Sequence, residues 1–128
     1  MFEKWYFDTQ SIVNVEKDGE VKGFSFEVKP TYYRGVYVSL VEKVGIWLDG
    51  QELDTTKLVF SVEDGTFTWD EMAEEPNARW KFGEKARIFI PLEGGIAAGH
   101  HEIRLVIGLR ITYWGGFQHA DVTFEFDI

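Results

Sequence analysis

The chain has 128 residues, no cysteine and 45% hydrophobic residues, and its aromatic set of 5 Trp, 5 Tyr and 11 Phe is large for its length. That length suits one hydrophobic core and one domain over residues 1–128, which excludes a disordered or collagen-like chain. With 13 Lys and Arg against 22 Asp and Glu, the formal charge of -9 repels a phosphate backbone, so nucleic acid is not an expected partner.

Zero cysteine excludes disulfides, thiolate zinc sites and thiol nucleophiles. It fits a reducing compartment, and the cytoplasm is the expected location. The opening residues Met1 to Asp8 carry Glu3 and Asp8 inside what would be the apolar stretch of a signal peptide. Uncharged apolar runs such as Leu105 to Leu109 fall far short of the ~20 residues that span a bilayer. A soluble chain with no membrane partner is expected.

In chain order, three Asp-Gly pairs, Asp18-Gly19, Asp49-Gly50 and Asp64-Gly65, separate β-favouring runs, and each predicts a two-residue hairpin loop. From Val21 to Val28, Phe24, Phe26 and Val28 share one face while Ser25 and Glu27 share the other, the period of a half-buried strand. Val44, Ile46 and Leu48 repeat it. Leu58, Phe60 and Val62, then Phe67 and Trp69, make Leu58 to Asp70 a tight hairpin. The one helical candidate, Trp69 to Ala78, is cut to about a turn by Pro76. The longest strand runs from His101 to Tyr113, with Ile103, Leu105, Ile107, Leu109, Ile111 and Tyr113 on one face and a bend expected at Gly108. Val122, Phe124, Phe126 and Ile128 face inward on the last strand, whose acidic outer face guards an edge. Eight or nine short strands predict an all-β fold, an antiparallel β-sandwich of jelly-roll-like form.

Catalytic chemistry is hard to place in this chain. His100 and His101 are adjacent, so on a strand they point to opposite faces and cannot chelate one ion together. Either one would need His119 as a partner from elsewhere in the fold; the competing reading is a turn histidine bonded to backbone. Asp70, Glu71, Glu74 and Glu75 gather near Pro76, where a solvated surface competes with an acid/base pair. No phosphate loop, nucleophile elbow or His-Glu-x-x-His pattern is present. No catalytic or metal-ligating residue is assigned.

Aromatic loops carry the better signal. Pro30-Thr31-Tyr32-Tyr33-Arg34-Gly35 precedes a strand, and Tyr113 to His119 is expected to join the last two strands. Both set rings where a core does not require them, as contact surfaces do. Flat Trp and Tyr rings also match the apolar face of a sugar, so a stand-alone carbohydrate-binding β-sandwich is one functional class to consider. Arg79-Trp80-Lys81 offers either a cation–π contact or a core anchor.

The ordered set Tyr32-Tyr33-Arg34-Gly35, Ser39-Leu40-Val41-Glu42, Leu48-Asp49-Gly50, Phe67-Thr68-Trp69-Asp70-Glu71-Met72, Arg79-Trp80-x-Phe82-Gly83-Glu84, Gly94-Gly95-Ile96, Gly99-x-His101-Glu102 and Arg110-Ile111-Thr112-Tyr113 resembles the beta subunit of C-glycoside deglycosidases. The resemblance covers roughly residues 21–113. Ala97-Ala98 stands where the family pattern has a proline-containing turn, and the segment from Trp114 to Ala120 departs from a proline-rich continuation.

The resemblance implies a heteromer in which a larger barrel-type alpha subunit holds a divalent metal such as Mn²⁺ and the acid/base residues, with no cofactor in this chain. It implies elimination across the carbon–carbon glycosidic bond of a 3-oxo C-glycoside of a flavonoid or related phenol. The products would be aglycone and an unsaturated anhydro-keto-sugar. A ketone at C3 makes the C2 proton removable, which suits a metal and a base in the partner. Tyr32, Tyr33, Arg34, Trp80, Trp114 and His119 are then the candidates for contact with partner or substrate.

Overall fold

The computed structural model describes residues 7–29, 36–81, 83–111 and 116–128, with residues 111 and 116–120 described by their backbone alone. Two antiparallel sheets face each other. The first has five strands in the order β1 (Phe7–Lys17), β2 (Glu20–Val28), β9 (Ala86–Pro91), β6 (Val59–Val62) and β7 (Gly65–Thr68). The second has four, β11 (Gly116–Asp127), β10 (His100–Ile111), β4 (Val41–Leu48) and β5 (Gln51–Glu52). A small third pair joins β3 (Val36–Tyr37) to β8 (Arg79–Trp80), and a 3-10 turn, Val38–Leu40, leads into β4. The chain crosses between the two large sheets from β2 to β4, from β5 to β6 and from β9 to β10. The expected all-β sandwich is what these residues form. Among the described residues no helix is long and apolar enough to cross a membrane.

The alternation read from sequence decides which side chains meet. Phe24, Phe26, Phe60, Ile88 and Ile90 from one sheet and Val44, Ile46, Ile103, Leu105, Ile107, Leu109, Val122 and Phe126 from the other belong to one buried cluster. Each large side chain so buried stabilises the fold by roughly 1.5–3 kcal/mol relative to exposure. Phe7 closes the open edge between β1 and β11, its ring 5.3 Å from that of Phe26 and edge-on to Phe124 at 5.7 Å.

Two of the three Asp-Gly turns are as expected. Asp18-Gly19 and Asp49-Gly50 adopt positive φ at both positions, 55° and 81°, then 52° and 82°, and bring Lys17 opposite Glu20 and Leu48 opposite Gln51. The third differs by one residue. The turn is Glu63-Asp64, and Gly65 is already the first residue of β7, opposite Val62. Gly65 has a φ of 155°, which L side chains rarely adopt, and a side chain there would also run into the Phe67 ring, so glycine serves both the backbone and the packing.

A register shift falls beside Gly108, and its extra residue belongs to the neighbouring strand. Gly108 pairs with Lys43 while Leu109 pairs with Val41, so Glu42 is the extra residue of a bulge carried by β4. The junction of the last strands differs from expectation. β11 begins at Gly116, opposite Ile111, so residues 117–119 belong to a strand and not to a connecting loop. Continued pairing with β10 satisfies backbone groups that a longer loop would leave to water.

Candidate functional site

The strand register gathers one end of the sandwich from pieces far apart in sequence. Leu109 pairs with Val41 at the start of β4, and Ile111 pairs with Gly116 just beyond. The 3-10 turn lies at this same end, tied to β8 by the Val38 amide donating to the Ala78 carbonyl at 2.9 Å. Next to it packs the helix α1 (Trp69–Glu74).

That helix forms where Pro76 forbids a longer one, and its start is chemically specified. The Thr68 hydroxyl accepts from the Glu71 amide at 3.3 Å, and the Glu71 carboxylate accepts from the Thr68 amide at 2.9 Å. This reciprocal cap satisfies two donors that a helix start otherwise leaves unpaired. Met72 faces the core. Thr68→Ala is expected to cost about 1 kcal/mol and to loosen α1 without unfolding the sandwich, as read by denaturant unfolding with the helix amides followed by hydrogen exchange.

Between α1 and the start of β4 lies an open groove of about 520 Å³, with Ser39, Val41 and Glu42 on one wall and Trp69, Asp70, Ala73 and Glu74 on the other. Glu42, the bulged residue, is held at the rim by Arg110, whose Nε lies 2.9 Å from its carboxylate. Close by, the exposed Tyr37 ring carries the Arg79 guanidinium 5.2 Å from its centroid. An open, acid-rimmed groove with an indole in one wall can bind a surface.

The four acids near Pro76 have separate duties. Asp70 and Glu74 line the groove, Glu71 completes the cap, and Glu75 accepts the amides of Asn77 and Ala78 at 3.0 and 3.3 Å.

The candidates named from sequence divide as follows. Tyr32, Tyr33, Arg34 and Trp114 lie outside the described residues. The residues that flank them, Val36 on one side and Ile111 and Gly116 on the other, sit at the groove end. Trp80 is a core residue, 1% exposed, its ring edge-on to Phe60 at 5.2 Å and its Nε1 donating to the Glu84 carbonyl at 3.0 Å. The cation–π contact weighed for this stretch is made by Arg79 on Tyr37, not on Trp80. His119 lies on β11 opposite Gly108.

His100 and His101 stand eight and seven positions before Gly108 on β10, roughly 24–27 Å of strand, so the fold keeps His119 apart from both. His100 is bracketed by two carboxylates, with Nδ1 2.8 Å from Asp127 and Nε2 3.3 Å from Glu125. Those bonds, to Asp127 first, hold its pKa above the ordinary histidine value. Among the described residues no group of three or more His, Cys, Asp or Glu is arranged to hold a metal ion.

Sequence reading missed Tyr37 and the Glu42–Arg110 pair. Tyr37 was detectable as the outward residue between the inward Val36 and Val38. Glu42 and Arg110 meet only because the bulge turns Glu42 outward beside β10.

The model of the C-glycoside deglycosidase beta subunit family matches residues 2–113. The chain belongs to that family. It is 28% identical over 103 residues to the C-glycoside deglycosidase beta subunit of Eubacterium cellulosolvens, covering 80% of this chain and 70% of that protein. To the 3'-dehydrocarminate deglycosidase beta subunit of a Microbacterium species it is 26% identical over 109 residues, 84% of this chain and 80% of the relative. To the C-glycoside deglycosidase beta subunit of Arthrobacter globiformis it is 25% identical over 93 residues, 72% and 70%.

As a member of the C-glycoside deglycosidase beta subunit family, the chain is one part of an enzyme complex whose other part is an alpha subunit. The matched region takes in both walls of the groove and every described element except β11. The beta subunit's last strand is instead joined to the rest by its own contacts. Arg104 on β10 donates to both oxygens of Asp121 on β11, at 2.9 and 2.7 Å, while its guanidinium lies over the Trp47 ring of β4 at 4.6 Å. The bidentate bond from Arg104 lowers the Asp121 pKa.

Proposed function

We propose that this chain stabilises a larger, metal-dependent, barrel-type alpha subunit and shapes the mouth of its active site in a cytoplasmic carbon–carbon lyase. The substrate is a 3-oxo C-glycoside of a flavonoid or related phenol. A base in the alpha subunit removes the C2 proton, which the neighbouring ketone acidifies. As the C1–C2 double bond forms, the bond from C1 to the aryl carbon breaks, and its electron pair stays on that carbon, which takes a proton. Aglycone and an unsaturated anhydro-keto-sugar result. A divalent metal in the alpha subunit supplies Lewis-acid polarisation of the ketone oxygen.

The observation that carries the reading is the family match across residues 2–113. The name of the Microbacterium relative, a 3'-dehydrocarminate deglycosidase beta subunit, supports a substrate oxidised at the 3' position. Two of the sequence segments that carry the resemblance, 39–42 and 67–72, supply Ser39, Val41, Glu42, Trp69 and Asp70 to the walls of the groove. Tyr32, Tyr33, Arg34, Trp114 and His119 are proposed as contact residues at that end, with Trp80 holding β3 from within.

The test is co-expression of the chain with a barrel-type alpha subunit, size exclusion, and an assay for aglycone release from a 3-oxo C-glycoside with added Mn²⁺. The expected result is a co-eluting complex that releases aglycone only when both chains are present. A lone monomer that binds free sugars, with no complex and no release, would overturn the reading in favour of a carbohydrate-binding module.

A further inference from the structure

The end of the sandwich opposite the groove holds a second cluster, built from two stretches that have no role in the proposed docking end. The Asp49-Gly50 turn closes β4 onto β5, and His101 lies near the start of β10 beside it. The His101 side chain is 14% exposed. Its Nδ1 lies 2.6 Å from Asp49 Oδ2, and its Nε2 lies 2.7 Å from the carbonyl oxygen of Ala97. A carboxylate and a carbonyl are both acceptors, so a ring that donates to both at once carries a proton on each nitrogen, as an imidazolium does. Asp49 is itself fixed, its other oxygen accepting the Glu102 amide at 2.9 Å and its own amide donating to the Glu102 carbonyl at 2.8 Å. Phe126 on β11 supplies an apolar wall, its ring centroid 5.8 Å from the imidazole.

The loop that receives this contact is otherwise held by neutral bonds. On one side the Asn14 side chain brackets Ile96, its oxygen accepting the Ile96 amide at 2.8 Å and its nitrogen donating to the Ile96 carbonyl at 2.9 Å. On the other, Gly99 and Ile128 exchange both backbone bonds at 3.0 Å. Between these two anchors, Ala97 is held through its carbonyl by His101.

We propose that the Asp49–His101–Ala97 bridge is a proton-operated latch that pins the 97–98 turn to the β4–β5 turn only while the ring carries both protons. Loss of either proton leaves one ring nitrogen without a hydrogen to donate to its acceptor, and that half of the bridge opens. The neutral anchors at Ile96 and Gly99 are unaffected, so the change stays local.

The charged groups around the ring fix the sign. Asp49 faces it from the β4–β5 turn and favours the imidazolium, while His100, next on β10 and turned toward Asp127 and Glu125, opposes it weakly. The bond to Asp49, then that to the Ala97 carbonyl, raises the His101 pKa, and the bond to His101, then that from the Glu102 amide, lowers the Asp49 pKa. The histidine contribution is therefore fully present below the ordinary histidine value and is lost as pH rises through the raised one. The Asp49 contribution is present above the ordinary carboxylate value and is lost as pH falls through the lowered one. The latch is closed between those limits.

With 3 histidines in the chain, ring-nitrogen NMR of the full, histidine-labelled protein between pH 5 and 9 reads the latch directly. An ordinary imidazole is about nine-tenths neutral by pH 7.5, whereas the His101 ring is expected to lose its second proton at a higher pH than an ordinary imidazole does. Asp49→Asn is expected to bring that titration down toward the ordinary value. On a His100→Gln background, which removes the other raised histidine, thermal stability is expected to fall on the alkaline side, and adding His101→Gln is expected to flatten that fall. A His101 ring that titrates at or below the ordinary histidine value, or an alkaline loss unchanged by His101→Gln, would overturn the proposal. If His101→Gln fails to fold, the ring spectra of the parent chain and of Asp49→Asn decide.

Discussion

Trp80→Ala is expected to destabilise the chain by about 3–5 kcal/mol, the range for removing a fully packed aromatic side chain. The ring is 1% exposed, meets Phe60 edge-on, and sits on the strand that pairs Val36 with Trp80, so its loss empties the core beneath β3 as well as beneath β8. Denaturant unfolding of the chain reads the effect. Trp80→Phe separates the two roles that sequence allowed for this residue. Phenylalanine keeps much of the contact with Phe60 but cannot donate to the Glu84 carbonyl, at an expected cost of about 1–3 kcal/mol. If Trp80 acts only from the core, folded Trp80→Phe assembles with the alpha subunit as the parent does. A folded Trp80→Phe that no longer assembles would return this residue to the contact surface.

Gly23→Ala is expected to be about as damaging for the opposite reason. A methyl group at this position would collide with the Ile90 carbonyl and approach the Leu92 amide to 3.0 Å, both backbone atoms of the neighbouring chain segment. Flexible side chains can move aside, but here β2 and β9 must part, and their pairing from Gly23–Pro91 to Val28–Ala86 is central to the five-stranded sheet. Overpacking of this kind costs about 3 kcal/mol. Thermal and denaturant unfolding should both show the loss, with Gly19→Ala as a comparison in which the added methyl meets nothing within 4 Å and only the positive φ of 81° is strained. Equal small effects at both positions would mean that β2 and β9 do not approach as closely as described.

Much of the architecture is legible along the chain because strand alternation is a local property. Phe24, Phe26 and Val28 share a face through pleat geometry alone, and Asp18 and Asp49 take positive φ because aspartate before glycine tolerates it. The cap on α1 is also written locally, in Thr68-x-x-Glu71. The start of β11 was harder. Trp114-Gly115-Gly116 has the composition of a loop, yet pairing with β10 begins at Gly116, because a neighbouring strand supplies partners that composition does not reveal.

The site divides along the same line. Its aromatic segments and family pattern stand in the linear sequence, and the match to the C-glycoside deglycosidase beta subunit family rests on them. The groove does not, since its walls come from segments 39–42 and 69–74, brought together by the packing of α1 against the turn that leads into β4.

By itself, then, the sequence determined the all-β class, the inward faces, two of the hairpin turns and the family. Those depend on residue type and near-neighbour spacing. Only the tertiary structure decided that Trp80 is core, that Glu42 meets Arg110, and that His101 finds Asp49 across 52 positions of chain. Such pairings depend on which strands lie side by side and where a bulge shifts their register. A one-residue slip would send every side chain of a strand to the other face.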